Sequence, residues 1–279
     1  MSSVRRTAQR IGREPAFRSV AGALAFAPAL LLLTACSSAP TDTEAPFSLS
    51  AGVLPFPAVV TGDSLRNADG TAVQLQAIAY NGKGDPIPGA PIEYFSTDTA
   101  VTVENGFLSA RGAPGRTVAT FARIGNLTLE ISPSAPLRVV RAPATITTSG
   151  DVPDSVSYAA PSVRSEPISV VLRSEPDEGA TEGAAVPGWI VEYEVEFRGA
   201  RLAPDDLNFR LVEPGGSGAV PAPQDTTDNG GIAAREVVVL NTGDIAQGET
   251  LVVIITTRHL GANVAGSPIE IPLRLTAAP

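Results

Sequence analysis

The stretch "VPGWIVEYEVEF", residues 186–197, decides how this 279-residue chain is read. Trp189, Val191, Tyr193, Val195 and Phe197 fall on one face, and Ile190, Glu192, Glu194 and Glu196 on the other. A period of two belongs to an extended strand with one buried face; a helix would scatter the same residues around its axis. Removing five such side chains from water is worth on the order of 10 kcal/mol by area, an upper bound against a realistic unfolded chain. The same alternation predicts strands at "TAVQLQAIA" (71–79), where Val73, Leu75, Ala77 and Ala79 oppose Gln74 and Gln76. It recurs at "LTLEI" (127–131), where Leu127, Leu129 and Ile131 oppose Thr128 and Glu130.

The opening letters have an echo. "IPGAPIEY" (87–94) precedes "VPGWIVEY" (186–193) by 99 positions, and "ENGFLSAR" (104–111) precedes "DNGGIAAR" (228–235) by 124. In the first pair a Pro-Gly turn leads into a strand carrying a tyrosine. In the second an Asn-Gly pair supplies the positive-φ residues of a tight turn. Two echoes in the same order predict a duplicated β domain, with the extra residues of the second copy inserted near 198–224. The composition agrees, since 26 Gly and 25 Pro spread among short apolar runs suit an all-β chain.

The N-terminus reads differently. Arg5, Arg6, Arg10, Arg13 and Arg18 precede "VAGALAFAPALLLLTA" (20–35), which is apolar, uncharged and too short to span a bilayer as a helix. It ends at Cys36, the only cysteine. Leu33-Thr34-Ala35-Cys36 resembles the lipobox of bacterial lipoproteins. That resemblance implies cleavage before Cys36, acylation of its thiol, and stable anchoring, because several acyl chains hold where one does not. Ser37, standing where an aspartate would favour inner-membrane retention, leans toward the outer membrane. "SSAPTDTEAP" (37–46) has nothing to bury and reads as a flexible tether.

Within 47–141 the chain resembles the bacterial immunoglobulin-like group 2 (Big-2) domain. The carriers are Gly62-Asp63, Ser96-Thr97, the run from Ala100 to Ala110, and Gly115 to Thr120; Tyr94 stands where that family usually has tryptophan. "DTTDNGGIAAREVVVL" (225–240) is similar to a segment of invasin-type (Big-1) domains. These resemblances imply two tandem immunoglobulin-like β-sandwiches. The expected organisation is a signal peptide at 1–35, the acylated cysteine and linker at 36–46, a Big-2-like domain at 47–141, and a second domain at 142–279.

Residues that carry chemistry are sparse. With Cys36 acylated, disulfides, thiol catalysis and cysteine-ligated metals are excluded. His259 is the only histidine, and its place at the end of "LVVIITTRHLG" predicts an exposed loop residue rather than a base. "GGSGA" (215–219) lacks the final glycine of a nucleophile elbow, and "GKGD" (82–85) reads as a hairpin turn rather than a phosphate loop. Asp225, Asp228 and Asn229 are weak candidates for a calcium site, because turns select the same residue types. Glu192, Glu194 and Glu196 are spaced too widely along a strand for one ion. Trp189 shares its face with Val191 and Tyr193 and is expected in the core.

The net charge is −9 although the leader is basic, so the acidic body argues against nucleic-acid partners. No cofactor is expected. The reading is an exported, lipid-anchored envelope protein that serves as a non-catalytic structural or binding (adhesion) module. An alternative is a periplasmic accessory protein that binds polysaccharide or an envelope protein. A third reading is a glycan hydrolase using Asp205 or Asp206 in the insertion.

Overall fold

The computed structural model describes residues 45–132, 136–159, 163–216, 220–243 and 245–277. The leader, Cys36 and most of the tether lie outside the described residues, as does the end of "GGSGA". Every regular element among the described residues is a strand. The first ten are β1 (Ser48–Ala51), β2 (Ala58–Val60), β3 (Ala77–Tyr80), β4 (Glu93–Ser96), β5 (Val101–Glu104), β6 (Phe107–Ala110), β7 (Arg116–Val118), β8 (Thr120–Ile124), β9 (Leu127–Ile131) and β10 (Leu137–Val140). The next six are β11 (Pro143–Thr148), β12 (Ser155–Ser157), β13 (Ile168–Ser174), β14 (Ile190–Phe197), β15 (Ala200–Arg201) and β16 (Phe209–Val212). The last six are β17 (Gln224–Thr226), β18 (Ile232–Val239), β19 (Thr250–Thr256), β20 (Arg258–His259), β21 (Ala262–Asn263) and β22 (Ile269–Thr276).

The all-β architecture in two bodies, expected from the sequence, is the one observed. Strands β1 to β10 pair only among themselves, in the orders β1-β3, β2-β10-β7, β4-β8-β9 and β5-β6. Strands β11 to β22 form two larger sheets, β11-β13-β18-β16 and β12-β22-β19-β14-β15, with β17 added to β14 and a small β20-β21 hairpin. The hydrophobic core is nevertheless one cluster, from Leu54 and Phe56 through Trp189 and Tyr193 to Leu273 and Leu275.

The opening stretch is β14. Trp189, Val191, Tyr193 and Val195 are buried and Phe197 half-buried, while Glu192, Glu194 and Glu196 are only half-covered. Both Pro-Gly turns form as expected, with φ of 67° at Gly89 and 72° at Gly188.

Three expectations need correction. The stretch 71–79 keeps its inward and outward faces, but only Ala77–Tyr80 is a regular strand; before it single bridges such as Gln74 with Phe107 take over. The Asn-Gly turn with two positive-φ residues exists in the first copy, at Asn105 and Gly106. In the second copy the positive-φ residue is Gly231, and the Asp228 carboxylate closes the turn by accepting the Gly230 and Ile232 amides at 2.8 and 3.0 Å. Residues within 198–224 supply β16, which pairs with β18 and buries Phe209. His259 is half-buried rather than exposed.

Candidate functional site

The residues that long-range packing brings together lie where the two bodies meet. Phe56 from the first body meets Trp189 from the second edge-on, ring centroids 4.7 Å apart, and the His259 ring also meets Trp189 edge-on, at 5.6 Å. The indole Nε1 donates to the Arg258 carbonyl at 3.1 Å, so a buried donor is satisfied. Trp189 is 6% exposed; it is core, as its shared face with Val191 and Tyr193 predicts.

Around this stack two polar links cross between the bodies. The Arg138 guanidinium donates to Asn229 Oδ1 at 2.6 Å, and Arg141 pairs with Asp177. Backbones also touch directly: a Cβ added to Gly70 would lie 2.5 Å from the Leu260 carbonyl carbon.

A small cavity beside the stack is lined by Asp63, Ser64, Arg66, Trp189 and His259 among others. Its volume of about 20 Å³ suits a single water rather than a ligand. Asp, Ser and His side by side invite a comparison with a catalytic relay, and the hydrogen bonds answer it. Both Asp63 oxygens are held by Arg66, at 2.7 and 2.8 Å, and the Ser64 hydroxyl lies 2.9 Å from that of Ser109. Neither is bonded to His259, whose Nε2 is buried without a hydrogen-bond partner among the described residues. A relay needs the base bonded to both its nucleophile and its orienting acid, and that chain is not assembled here. The Arg66 bonds hold the Asp63 carboxyl below its usual range, and burial pulls the His259 imidazole below its usual range against a smaller opposing effect of Asp63.

The other residues singled out in the sequence are engaged locally. Asp225 is paired with Arg235 at 3.0 Å and accepts the Ala234 amide at 2.7 Å; Asp228 closes its turn and Asn229 receives Arg138. The structure therefore gives the three weak calcium candidates separate duties, and no group of three or more His, Cys, Asp or Glu fit to hold a metal occurs among the described residues. Asp206 accepts the Asn208 and Phe209 amides at 2.7 and 3.1 Å, fixing the approach to β16. Glu194 is paired with Arg201, and Glu192 accepts from Gln224 at 3.3 Å. Asn81 organises the "GKGD" turn by accepting the Lys83 and Asp85 amides.

Phe56 and the Arg138–Asn229 link were missed in the sequence. Their partners lie 133 and 91 positions away, and no local spacing encodes such contacts.

Further concavities occur on the surface, among them two lined by aromatic residues. A groove of about 740 Å³ on the first body is lined by Gln74, Gln76, Ile92, Tyr94, Phe95 and Asn105 among others. A cavity of about 220 Å³ lies in the second body between β14 and β16.

No family model matches the chain, and no curated protein matches it. Among solved structures it is similar to domains 4 and 5 of the S-layer protein SbsC, at 15% identity over 83% of this chain and 99% of that one, with a TM-score of 0.28. It is similar to the Escherichia coli adhesin FdeC at 15% identity over 82% and 63%, with a TM-score of 0.29. The eight N-terminal Ig domains of Down Syndrome Cell Adhesion Molecule match at 13% identity over 82% and 27%, with a TM-score of 0.24. Likenesses at this level assign neither family nor function.

Proposed function

We propose that this chain is a lipid-anchored cell-envelope protein whose two immunoglobulin-like bodies act as a non-catalytic structural or adhesion module, exported and held at the outer membrane through Cys36. The observation that carries the reading is the junction. A module that works by presentation needs its parts held in a fixed relation, and here one core, an aromatic stack and two polar links join the bodies. The basic, apolar leader ending in Leu33-Thr34-Ala35-Cys36 supports the anchor.

Metabolic labelling of the producing cells with an alkyne-tagged fatty acid tests it. The wild-type chain is expected to carry the label and fractionate with membranes, and Cys36→Ser to carry none. An unlabelled wild-type chain in the cytosol would overturn the proposal.

The groove on the first body favours a second reading, an accessory protein that binds polysaccharide. Amide side chains beside aromatic ones are the groups that bond sugar hydroxyls and cover sugar rings, and Gln74, Gln76 and Asn105 stand beside Tyr94 and Phe95. Phe95 is a poor platform by itself, since Phe121 stacks on it at 5.4 Å and Arg123 lies 5.2 Å from its ring centre. Glycan binding that is lost in Gln74→Ala/Gln76→Ala, with the fold retained, would establish this version.

A further inference from the structure

The groove on the first body runs along a strand edge that is left open. Among the described residues β4 pairs with β8 on one side and with no strand on the other. Which of its backbone groups face outward follows from the β8–β9 hairpin. Ile124 and Leu127 close a two-residue turn in which only Gly125 has a positive φ, 55°. The closing pair of such a turn is hydrogen-bonded. Bonded and non-bonded pairs alternate along an antiparallel ladder, so Thr120 and Ala122 also bond to β9. Phe121 and Arg123 are left to bond to β4, where their partners are Phe95 and Glu93. Tyr94 and Ser96 therefore turn their N–H and C=O groups away from β8, and no group among the described residues bonds to them there. The Ser96 hydroxyl is engaged separately, donating to the Ala119 carbonyl at 2.8 Å. Both residues are only half-buried.

The groove gives this edge the form of a slot. Glu93, Tyr94 and Phe95 line one side of it, and residues 74–78 of the first body's other layer line the opposite side. No residue of β8 borders it, so it lies on the open side of β4. The Tyr94 hydroxyl reaches across to accept the Ala77 amide at 2.9 Å, tying the two sides together. A groove walled on both sides admits one extended chain and excludes the edge of a second folded sheet. Its open N–H and C=O groups recur at every second residue, about 6.8 Å apart, which is the repeat of an extended polypeptide and not of a sugar chain. The one carboxylate of the lining, Glu93, is already paired with Arg123, so a charged side chain in the slot would find no partner. We propose that the open edge of β4 takes up an extended, uncharged segment of a partner protein as an added strand, bonded through the Tyr94 and Ser96 backbones. This deepens the binding-module reading, on which it rests, by naming the chemistry of the partner; it does not depend on acylation of Cys36.

Fluorescence anisotropy of the labelled heptapeptide Lys-Val-Thr-Val-Thr-Val-Lys, titrated with the full chain, tests it; the lysines serve solubility. The peptide is expected to bind saturably. The same peptide carrying N-methyl groups on two adjacent central residues, which blocks an added strand in either phase, should not bind. Ser96→Pro removes the outward N–H and costs no ladder bond, since an edge strand tolerates proline on its open side. It is expected to weaken binding by about tenfold or more, the worth of one hydrogen bond and the bulk of the ring. Ser96→Ala loses the same hydroxyl contacts but keeps the N–H, and should bind as the wild type does. Gln74→Ala/Gln76→Ala removes the amides that a glycan would need and should leave peptide binding in place. No saturable binding up to the solubility limit of the peptide would overturn the proposal. So would equal affinities in Ser96→Pro and Ser96→Ala, or binding lost in Gln74→Ala/Gln76→Ala, which would move the contact from the strand edge to the side chains. None of these outcomes bears on fatty-acid labelling of Cys36, which tests the anchored module by itself.

Discussion

Trp189 is the only tryptophan in the chain and His259 the only histidine, and the fold brings their rings together edge to face. Tryptophan emission therefore reports on the junction alone. Trp189→Ala removes the group that Phe56 and His259 both touch, and is expected to cost about 3–5 kcal/mol in denaturant unfolding. His259 gives the junction a pH dependence whose sign follows from its environment. Burial lowers its folded pKa below the ordinary 6.5, so the neutral ring is favoured in the native state. Above that value both states are neutral and stability is level. As the pH falls through it the unfolded chain takes up its proton first, and stability declines until the folded pKa is reached. Asp63, Arg66 and Arg258 are the charges around the ring, and Asp63 loses its own contribution only at more acid pH, where its carboxyl titrates. Thermal unfolding of His259→Gln should be flat over the interval just below pH 6.5 where the wild type declines. A decline unchanged in the variant would remove His259 from that role.

At the scale of elements, β14 was legible because it is long and one of its faces is buried from Trp189 to Val195 and half-buried at Phe197, so the alternation survives over nine residues. "TAVQLQAIA" was legible as two faces but not as one strand. Its neighbours change along its length, from single bridges to a ladder with β1, and side-chain pattern is blind to which backbone groups pair. β16 was missed because its signal, Phe209 and Leu211 about Arg210, spans too few residues and lies among Gly and Pro. The paired turns offer a direct test of how far the duplication holds. Gly89 and Gly188 have the same conformation, but a Cβ at Gly89 would meet nothing within 4 Å. One at Gly188 would lie 2.9 Å from Arg138 Cδ. Gly89→Ala should therefore cost about 1–2 kcal/mol, the penalty of a left-handed residue. Gly188→Ala should cost more, because Arg138 must also move and its bond to Asn229 weakens. Equal shifts in melting temperature would show that Arg138 yields freely.

At the scale of the molecule, the sequence implies two repeats but is silent on whether they behave as two objects. Strand pairing separates them, whereas the core does not, and the described residues form a single compact unit. The difference has a thermodynamic consequence. Two domains on a loose linker unfold independently, whereas domains that share buried surface lose that burial when either one opens, which couples their transitions. Phe56 is 5% exposed and packs against Trp189, so melting the second body strips apolar cover from the first. Scanning calorimetry of the chain should accordingly show one transition, with the calorimetric enthalpy equal to the van't Hoff value. Phe56→Ala leaves both sets of ladders intact while removing the shared contact, and Arg138→Ala removes a polar link across the same boundary. The double variant is expected to split the single transition into two. Two resolved transitions already present in the wild-type chain would mean that the junction is too weak to couple the bodies, and the presentation role would then lose the rigidity on which it rests.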